Sequence, residues 1–158
     1  MVFKKILLAM DDSDDAKRAA EKVIELEKKY DSEVIAFHAI KHHMIPRRYP
    51  LSVPFMNSTT YTIPPVDYQK IEEAYIERGK KILDKVEELF KSNEMPVELR
   101  LIEHVSPADY IKETVKKEDI DLVALGCKGE HSKLGTLILG NVASKVLNEA
   151  PCDVLIVR

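Results

Sequence analysis

The glycines of this chain are unevenly distributed. Four of the five lie close together in the stretch GCKGEHSKLGTLILG, at Gly126, Gly129, Gly135 and Gly140. Glycine allows the backbone to enter positive φ, and it allows a ligand to approach the amide groups closely. A helical pattern follows, and a helix start adds aligned N–H groups with a partial positive charge. The stretch therefore suits a phosphate group, although glycines also shape strand-to-helix turns that bind nothing.

A second polar group follows the first apolar run, in the sequence AMDDSDD. A carboxylate at the end of a buried strand needs solvent, a hydrogen-bond donor or a cation, so Asp11 is a candidate binding residue. Acidic side chains also favour helix starts, and this explains Asp12, Asp14 and Asp15 equally well. Both interpretations of Asp11 stand at this point.

Several kinds of site are disfavoured by missing motifs. Neither G-x-x-x-x-G-K-[ST] nor G-x-G-x-x-G occurs, which argues against a P-loop kinase and a nicotinamide dehydrogenase. No G-x-S-x-G elbow is present to activate a serine. His42 and His43 are adjacent but lack an H-E-x-x-H or Cys/His spacing, so a zinc site is not expected. Cys127 and Cys152 are expected to be reduced thiols, and redox sensing at Cys127 is a minor alternative.

These candidate residues need elements that position them. Amphipathic periodicity predicts helices over 14–30 and 68–92, a capped start at Ser106 predicts a third, and a fourth is expected over 141–149. Short apolar or alternating runs predict strands at 6–10, 32–40, 96–104, 121–126 and 153–158. Strict alternation of five strands with four helices predicts an open, doubly wound parallel sheet, in which ligands bind at the carboxyl ends of the strands.

Composition limits the class of protein. The 158 residues suit a single domain over 1–158, with a surface excursion over about 42–66 that holds five of the eight prolines. A formal charge of -3 gives no nucleic-acid footprint. No apolar run reaches the roughly 20 residues of a membrane span, and the start lacks a signal-peptide pattern. We therefore expect a cytoplasmic protein without nucleic-acid or membrane partners.

The stretch GCKGEHSKLGTLILGNVASKVLNEAPCDVLIV resembles the C-terminal signature of the universal stress protein family. KKILLAMDDSDDAKRAA is similar to that family's first strand and D-x-S turn, VIAFHAI to its second strand, and HVSPADYIKE to the start of its third helix. The resemblance covers nearly the whole chain. It implies a Rossmann-like α/β fold, similar to the adenine nucleotide alpha hydrolases, with five parallel strands in the order 3-2-1-4-5 and four helices.

The ATP-binding branch of that family is marked by G-x2-G-x9-G followed by Ser or Thr. By resemblance, Gly126 and Gly129 match the first two glycines and Gly140 the third. Ten residues, not nine, separate Gly129 from Gly140, and Asn141 stands where a hydroxyl residue is usual. The extra residue is expected to bulge the loop, and Asn141 still offers a polar side chain at a helix start.

The resemblance also implies a role for other positions. Asp11 would approach the ribose or a nucleotide-bound magnesium ion, and the backbone around Ala39 would recognise the adenine. The cofactor implied is ATP or AMP, with Mg²⁺ or Mn²⁺. The nucleotide-binding residues implied are Ala9, Met10, Asp11, Ala39, Leu125, Gly126, Lys128, Gly129, Gly140, Asn141, Val142 and Ala143.

Three functions are compatible with the sequence. The first is an adenine-nucleotide-binding regulatory module that acts in the stress response. The second is a dimerisation or interaction module with a vestigial cleft. The third, a nucleotide-using enzyme, lacks an evident general base or an arginine clamp, so at most slow ATP hydrolysis is expected. By resemblance, the apolar strand DVLIV at the sheet edge would pair two copies into a homodimer.

Overall fold

The computed structural model describes residues 3–40, 52–53, 61–62, 68–128 and 139–158. Along the chain the elements are β1 (Lys5–Ala9), α1 (Asp14–Tyr30), β2 (Glu33–Ala39), β3 (Ser52–Val53), β4 (Tyr61–Thr62), α2 (Tyr68–Ser92), β5 (Glu98–Ile102), α3 (Pro107–Glu118), β6 (Leu122–Gly126), α4 (Asn141–Glu149) and β7 (Asp153–Val157).

Five of these strands form one parallel sheet in the order β5-β2-β1-β6-β7. Counted along the chain without β3 and β4, this is the order 3-2-1-4-5, so the predicted Rossmann-like fold is confirmed. The direction of winding reverses between β1 and β6. In doubly wound sheets that reversal opens a crevice at the carboxyl ends of the two strands.

The strand count differs from the sequence prediction in one place. β3 and β4 form a separate antiparallel pair, with Ser52 opposite Thr62 and Val53 opposite Tyr61. Both lie within the segment predicted as an excursion without regular structure. Each strand has only two residues, which is too short to produce a readable period of two.

The sheet is covered on both faces. Ile6 and Leu8 of β1 pack towards α1 and α2, whereas Leu7 packs towards α3 and α4, and all three are 0% exposed. Successive strand side chains point to opposite faces, so a strand covered on both sides must be apolar throughout. This explains the uninterrupted apolar run at the start of the chain.

The helices begin and end where the sequence indicates. The Ser13 hydroxyl accepts a hydrogen bond from the Ala16 amide at 3.1 Å and caps α1. The Ser106 hydroxyl accepts from the Asp109 amide at 3.2 Å and caps α3, with Pro107 at the first helical position. Among the described residues, no helix is long and apolar enough to cross a membrane.

Candidate functional site

The start of α4 lies against the carboxyl ends of β6 and β7. The Cys127 amide donates to the Val157 carbonyl at 2.6 Å, and the Cys127 carbonyl accepts from the Gly140 amide at 2.9 Å. Two backbone hydrogen bonds therefore connect Gly140, the residue before this helix, through Cys127 to the end of β7. Cys127 is only 4% exposed, so its thiol is not accessible for redox chemistry.

Gly140 is the N-cap of α4 and has no side chain to offer to the first turn. The first four N–H groups of any helix lack acceptors within the helix. The Gly140 amide donates to the Cys127 carbonyl, so the amides without an acceptor inside the helix are those of Asn141, Val142 and Ala143. The starts of α1 and α3 differ, because Ser13 and Ser106 cap them with hydroxyl groups. An oxyanion would be a suitable acceptor at the start of α4.

Gly126 is required for close packing rather than for an unusual backbone conformation. A Cβ atom at this position would lie 2.8 Å from the Ala16 nitrogen and 2.9 Å from Cβ of Asp15. Among the described residues no glycine has a positive φ, so Gly126 does not shape its turn through left-handed backbone. The glycine allows the end of β6 to meet the start of α1.

Asp15 adds a hydrogen bond to this contact between the start of α1 and the end of β6. Its Oδ2 accepts a hydrogen bond from the Lys128 amide at 3.0 Å, and Oδ1 is paired with Arg18. The Asp15 side chain is only 15% exposed. From the sequence alone, Asp15 was expected only to favour the start of a helix. The contact spans most of the chain in sequence, so no local pattern could reveal it.

Asp11 takes part in the start of α1. Its Oδ1 accepts from the Ser13 amide at 3.0 Å and also from the Ser13 hydroxyl. The same hydroxyl caps the helix at Ala16, so Asp11 orients the capping residue. Both interpretations of Asp11 survive, because a carboxylate that is held in place at the strand end can also face a ligand.

Most of the predicted apolar wall lies together on one face of the sheet. Ala39, Leu125 and Ala143 are buried in one cluster, and the partly buried Ala9 and Val142 pack against it. Met10 is the exception. Its side chain packs on the opposite face, and its amide and carbonyl are bonded to the Phe37 carbonyl and to Nδ1 of His38, at 2.8 and 2.7 Å respectively.

Two ion pairs lie near the helix starts. Nζ of Lys145 on α4 contacts Oδ1 of Asp109 on α3 at 2.8 Å, and this hydrogen bond, together with that from Ser106, lowers the pKa of Asp109. Nζ of Lys85 contacts Oδ1 of Asp12 at 3.0 Å and lowers the pKa of Asp12. These pairs favour the ionised form of both carboxylates. The first connects α3 to α4, and the second connects α2 to the segment that precedes α1.

Some predicted site residues lie outside the described part of the chain. Gly129 is one of them. Gly135 and the extra residue between Gly129 and Gly140 also lie outside the described part. His42 and His43 lie outside it as well. Of the predicted nucleotide-binding residues, the structure thus brings Gly126, Lys128 and Gly140 to one junction and leaves Gly129 undescribed.

Comparison with known proteins shows which family this sequence resembles. The sequence model of the universal stress protein family matches residues 2–158. A universal stress protein of Thermus aquaticus is 31% identical over 157 residues, covering 99% of this chain and 100% of the relative. One of Methanocaldococcus jannaschii is 29% identical over 157 residues, covering 99% of this chain and 83% of the relative.

Solved structures show the same fold. The universal stress protein UspA of Lactobacillus plantarum superposes with a TM-score of 0.76 at 20% identity, covering 100% of this chain and 99% of its own. The protein of Archaeoglobus fulgidus in complex with dAMP gives 0.63 at 19% identity and covers 100% of both chains. Two others, in complex with cAMP and with AMP, give TM-scores of 0.66 and 0.59. The match along almost the entire sequence shows that this chain belongs to the universal stress protein family.

Proposed function

We propose that the protein is a regulatory module of the stress response that binds an adenine nucleotide in the crevice between β1 and β6. The observation that carries the proposal is the start of α4. The amides of Asn141, Val142 and Ala143 have no acceptor within the helix, and Gly140 has no side chain to cap them. A phosphate group would accept from these amides and favour the positive end of the helix dipole.

The other parts of a nucleotide would meet neighbouring residues of the crevice. The partly buried Ala9 and Val142, at the edge of the buried cluster of Ala39, Leu125 and Ala143, would contact the base. Asp11 would meet the ribose or a nucleotide-bound Mg²⁺ or Mn²⁺ ion. Solved relatives with the same fold are in complex with cAMP, dAMP and AMP, which supports an adenine nucleotide as the ligand class.

We propose binding rather than turnover as the activity. Asp12 and Asp109 are the acidic side chains near the helix starts with a resolved pKa shift, and both shifts are downward, because of hydrogen bonds to lysines. Neither of these two carboxylates is therefore suited to act as a general base at neutral pH. At most slow phosphate release from ATP is expected, and rapid release would refute this part of the proposal.

The test is a pair of substitutions at Gly140. Gly140→Asp and Gly140→Asn place side chains of almost the same shape at the N-cap, and both can cap α4. Only aspartate adds a negative charge where the phosphate would bind. With ATP and magnesium at about a hundred times the dissociation constant, the wild-type protein should gain roughly 2.7 kcal/mol, a rise of several degrees in Tm.

Gly140→Asn should weaken this rise and Gly140→Asp should abolish it, while both variants keep or slightly increase their stability without ligand. AMP and cAMP serve as separate arms, because they differ in phosphate number and charge. No rise in Tm with any of the three nucleotides would refute the binding proposal and favour the interaction module. Equal binding by the two variants would place the phosphate elsewhere.

We also propose a homodimer through β7. This strand lies at the sheet edge, and its apolar residues Val154, Leu155, Ile156 and Val157 are only half-buried in the isolated chain. Open strand edges are normally covered or paired. Light scattering at micromolar concentration should give twice the mass of the chain, and the mass of a monomer would contradict the proposal.

A further inference from the structure

Three potential metal ligands converge at the carboxyl end of the edge strand β5. Glu72 lies near the start of α2, and Glu103 and His104 follow directly after the edge strand β5. One ligand atom from each side chain can be chosen so that all three lie within 4.8 Å of one another. Glu72 is half-buried, whereas Glu103 and His104 are exposed. The cluster therefore joins two elements at a surface that solvent can reach.

The spacing of these atoms is close to that of a metal site. Nε2 of His104 lies 3.9 Å from Oε2 of Glu103. Bonds of roughly 2.1 Å to zinc place tetrahedral ligand atoms about 3.4 Å apart. The exposed side chains would therefore have to move by only about an ångström or less to close around an ion, which a change of rotamer provides. Solvent would complete the coordination.

The backbone brings the two adjacent residues to one side. Successive side chains of an extended strand point in opposite directions. His104 has a φ of 65°, in the left-handed region, where it interrupts this alternation just beyond β5. The side chains of Glu103 and His104 can thereby approach the same point, which Glu72 of α2 reaches from the facing helix.

The chemistry of the three donors selects a class of ion. Two carboxylates offer two negative charges to a divalent cation. The imidazole nitrogen favours zinc and other late first-row transition metals, whereas magnesium and calcium prefer oxygen ligands alone. We propose that Glu72, Glu103 and His104 form a binding site for a divalent transition-metal ion, with Zn²⁺ as its representative. The site includes none of the proposed nucleotide-binding residues, although Glu103 directly follows Ile102, the strand partner of Ala39.

Zinc titration of the nucleotide-free protein by calorimetry tests this site. One Zn²⁺ ion should bind per chain, a large excess of Mg²⁺ should not displace it, and Tm should rise because the ion connects α2 to β5. Glu72→Gln and His104→Ala should each weaken zinc binding by about tenfold or more, since each removes a ligand. The imidazole ¹⁵N resonances of His104 should shift on addition of zinc, which a purely structural role would not produce.

Two controls separate this site from adventitious binding. Glu73→Gln makes the same charge change one residue away, at a side chain that is hydrogen-bonded to Gln69, and should leave zinc affinity unchanged. The double variant His42→Ala/His43→Ala should also bind zinc as the wild type does. The proposal is overturned if the wild type binds no zinc at micromolar concentration, or if Glu72→Gln binds zinc as tightly as Glu73→Gln.

Discussion

The two ends of the central sheet use their polar groups differently. At the amino end, Oδ2 of Asp121 accepts hydrogen bonds from the amides of Lys4 and Lys5, at 2.8 and 3.0 Å. The Asp121 amide donates to the Lys5 carbonyl at 3.0 Å, and the Ser32 hydroxyl donates to the Phe3 carbonyl at 2.6 Å. Polar groups at this end are directed into the fold.

At the carboxyl end, the two helix starts are capped differently. The start of α1 is capped by Ser13, but the start of α4 is an N-cap glycine without a side chain. Both ends belong to the same strands, so the difference does not come from the sheet itself. The polar groups at the amino end stabilise the fold, whereas the start of α4 at the carboxyl end is the part that the proposed nucleotide would use.

The strongest test of this division is Asp121→Ala. The substitution removes one oxygen that serves two backbone donors, and bonds to a charged acceptor contribute about 2 kcal/mol to stability. Urea denaturation should show a loss of this size, while nucleotide affinity measured by calorimetry stays the same. Asp121→Asn is the matched control, because both donors reach the same oxygen and an amide oxygen can replace it. A loss of affinity with Asp121→Ala would show that the two ends are not independent.

A smaller but more informative effect is expected for Asp15→Ala. Asp15 lies at the carboxyl end yet is used internally, because it accepts a hydrogen bond from the Lys128 amide. Loss of the Asp15 carboxylate should reduce stability by about 1 kcal/mol. If Lys128 contributes to the proposed nucleotide site, affinity should also fall by roughly tenfold, which corresponds to 1.4 kcal/mol.

Asp14→Ala is the control for Asp15→Ala. The Asp14 side chain is 81% exposed, and among the described ion pairs it contacts only Lys17. This substitution should change neither quantity appreciably. If Asp15→Ala lowers stability but not affinity, the contact with Lys128 supports the fold alone. That result would leave the Gly140 test of nucleotide binding unaffected.

Sequence patterns were sufficient for the fold because each signal is local. The apolar run that contains Leu7, the Ser106 cap and the alternation of strands with helices each require only a few neighbouring residues. The resemblance then supplied the strand order, and the structure bears it out. The same locality explains the missed pair of β3 and β4, whose strands are too short to carry a period.

The candidate site was less predictable, because it depends on contacts between distant segments. Sequence spacing identified Gly140 as the start of α4, but the bond from Asp15 to Lys128 and the packing of Gly126 on Ala16 exist only once the chain is folded. The cluster of Glu72 with His104 has the same origin. Motif spacing cannot detect ligands that are brought together by a helix and a strand far apart in sequence.

The smallest expected effect concerns Glu27, the exception among the polar groups packed within the fold. Its side chain is on α1, the residue is 4% exposed, and Oε2 has no hydrogen-bond partner among the described residues. Burial, together with the charge of Asp31, raises the pKa of Glu27 from 4.5 to about 7. The folded chain therefore favours the neutral carboxyl group of Glu27.

The sign of the pH dependence follows from this shift. Below pH 4.5 the carboxyl group is protonated in the folded and the unfolded chain alike, so it carries no penalty. Between 4.5 and about 7 the unfolded chain releases its proton first, so the free energy of unfolding falls as pH rises through this window. Glu27→Gln should remove this decline, so the variant should be more stable than the wild type at pH 8 and differ little from it at pH 5.

Urea denaturation at both pH values measures the effect, with Glu21→Gln as the control for the same charge change at an exposed position of α1. Nucleotide affinity should be unaltered, because Glu27 lies in the last turn of α1, remote from the helix start at the crevice. If Glu27→Gln is instead less stable at pH 8 than the wild type, the carboxylate must be satisfied in its ionised form. Glu27 would then no longer be an exception to the internal hydrogen bonding at the amino end, and the two ends of the sheet would differ more clearly.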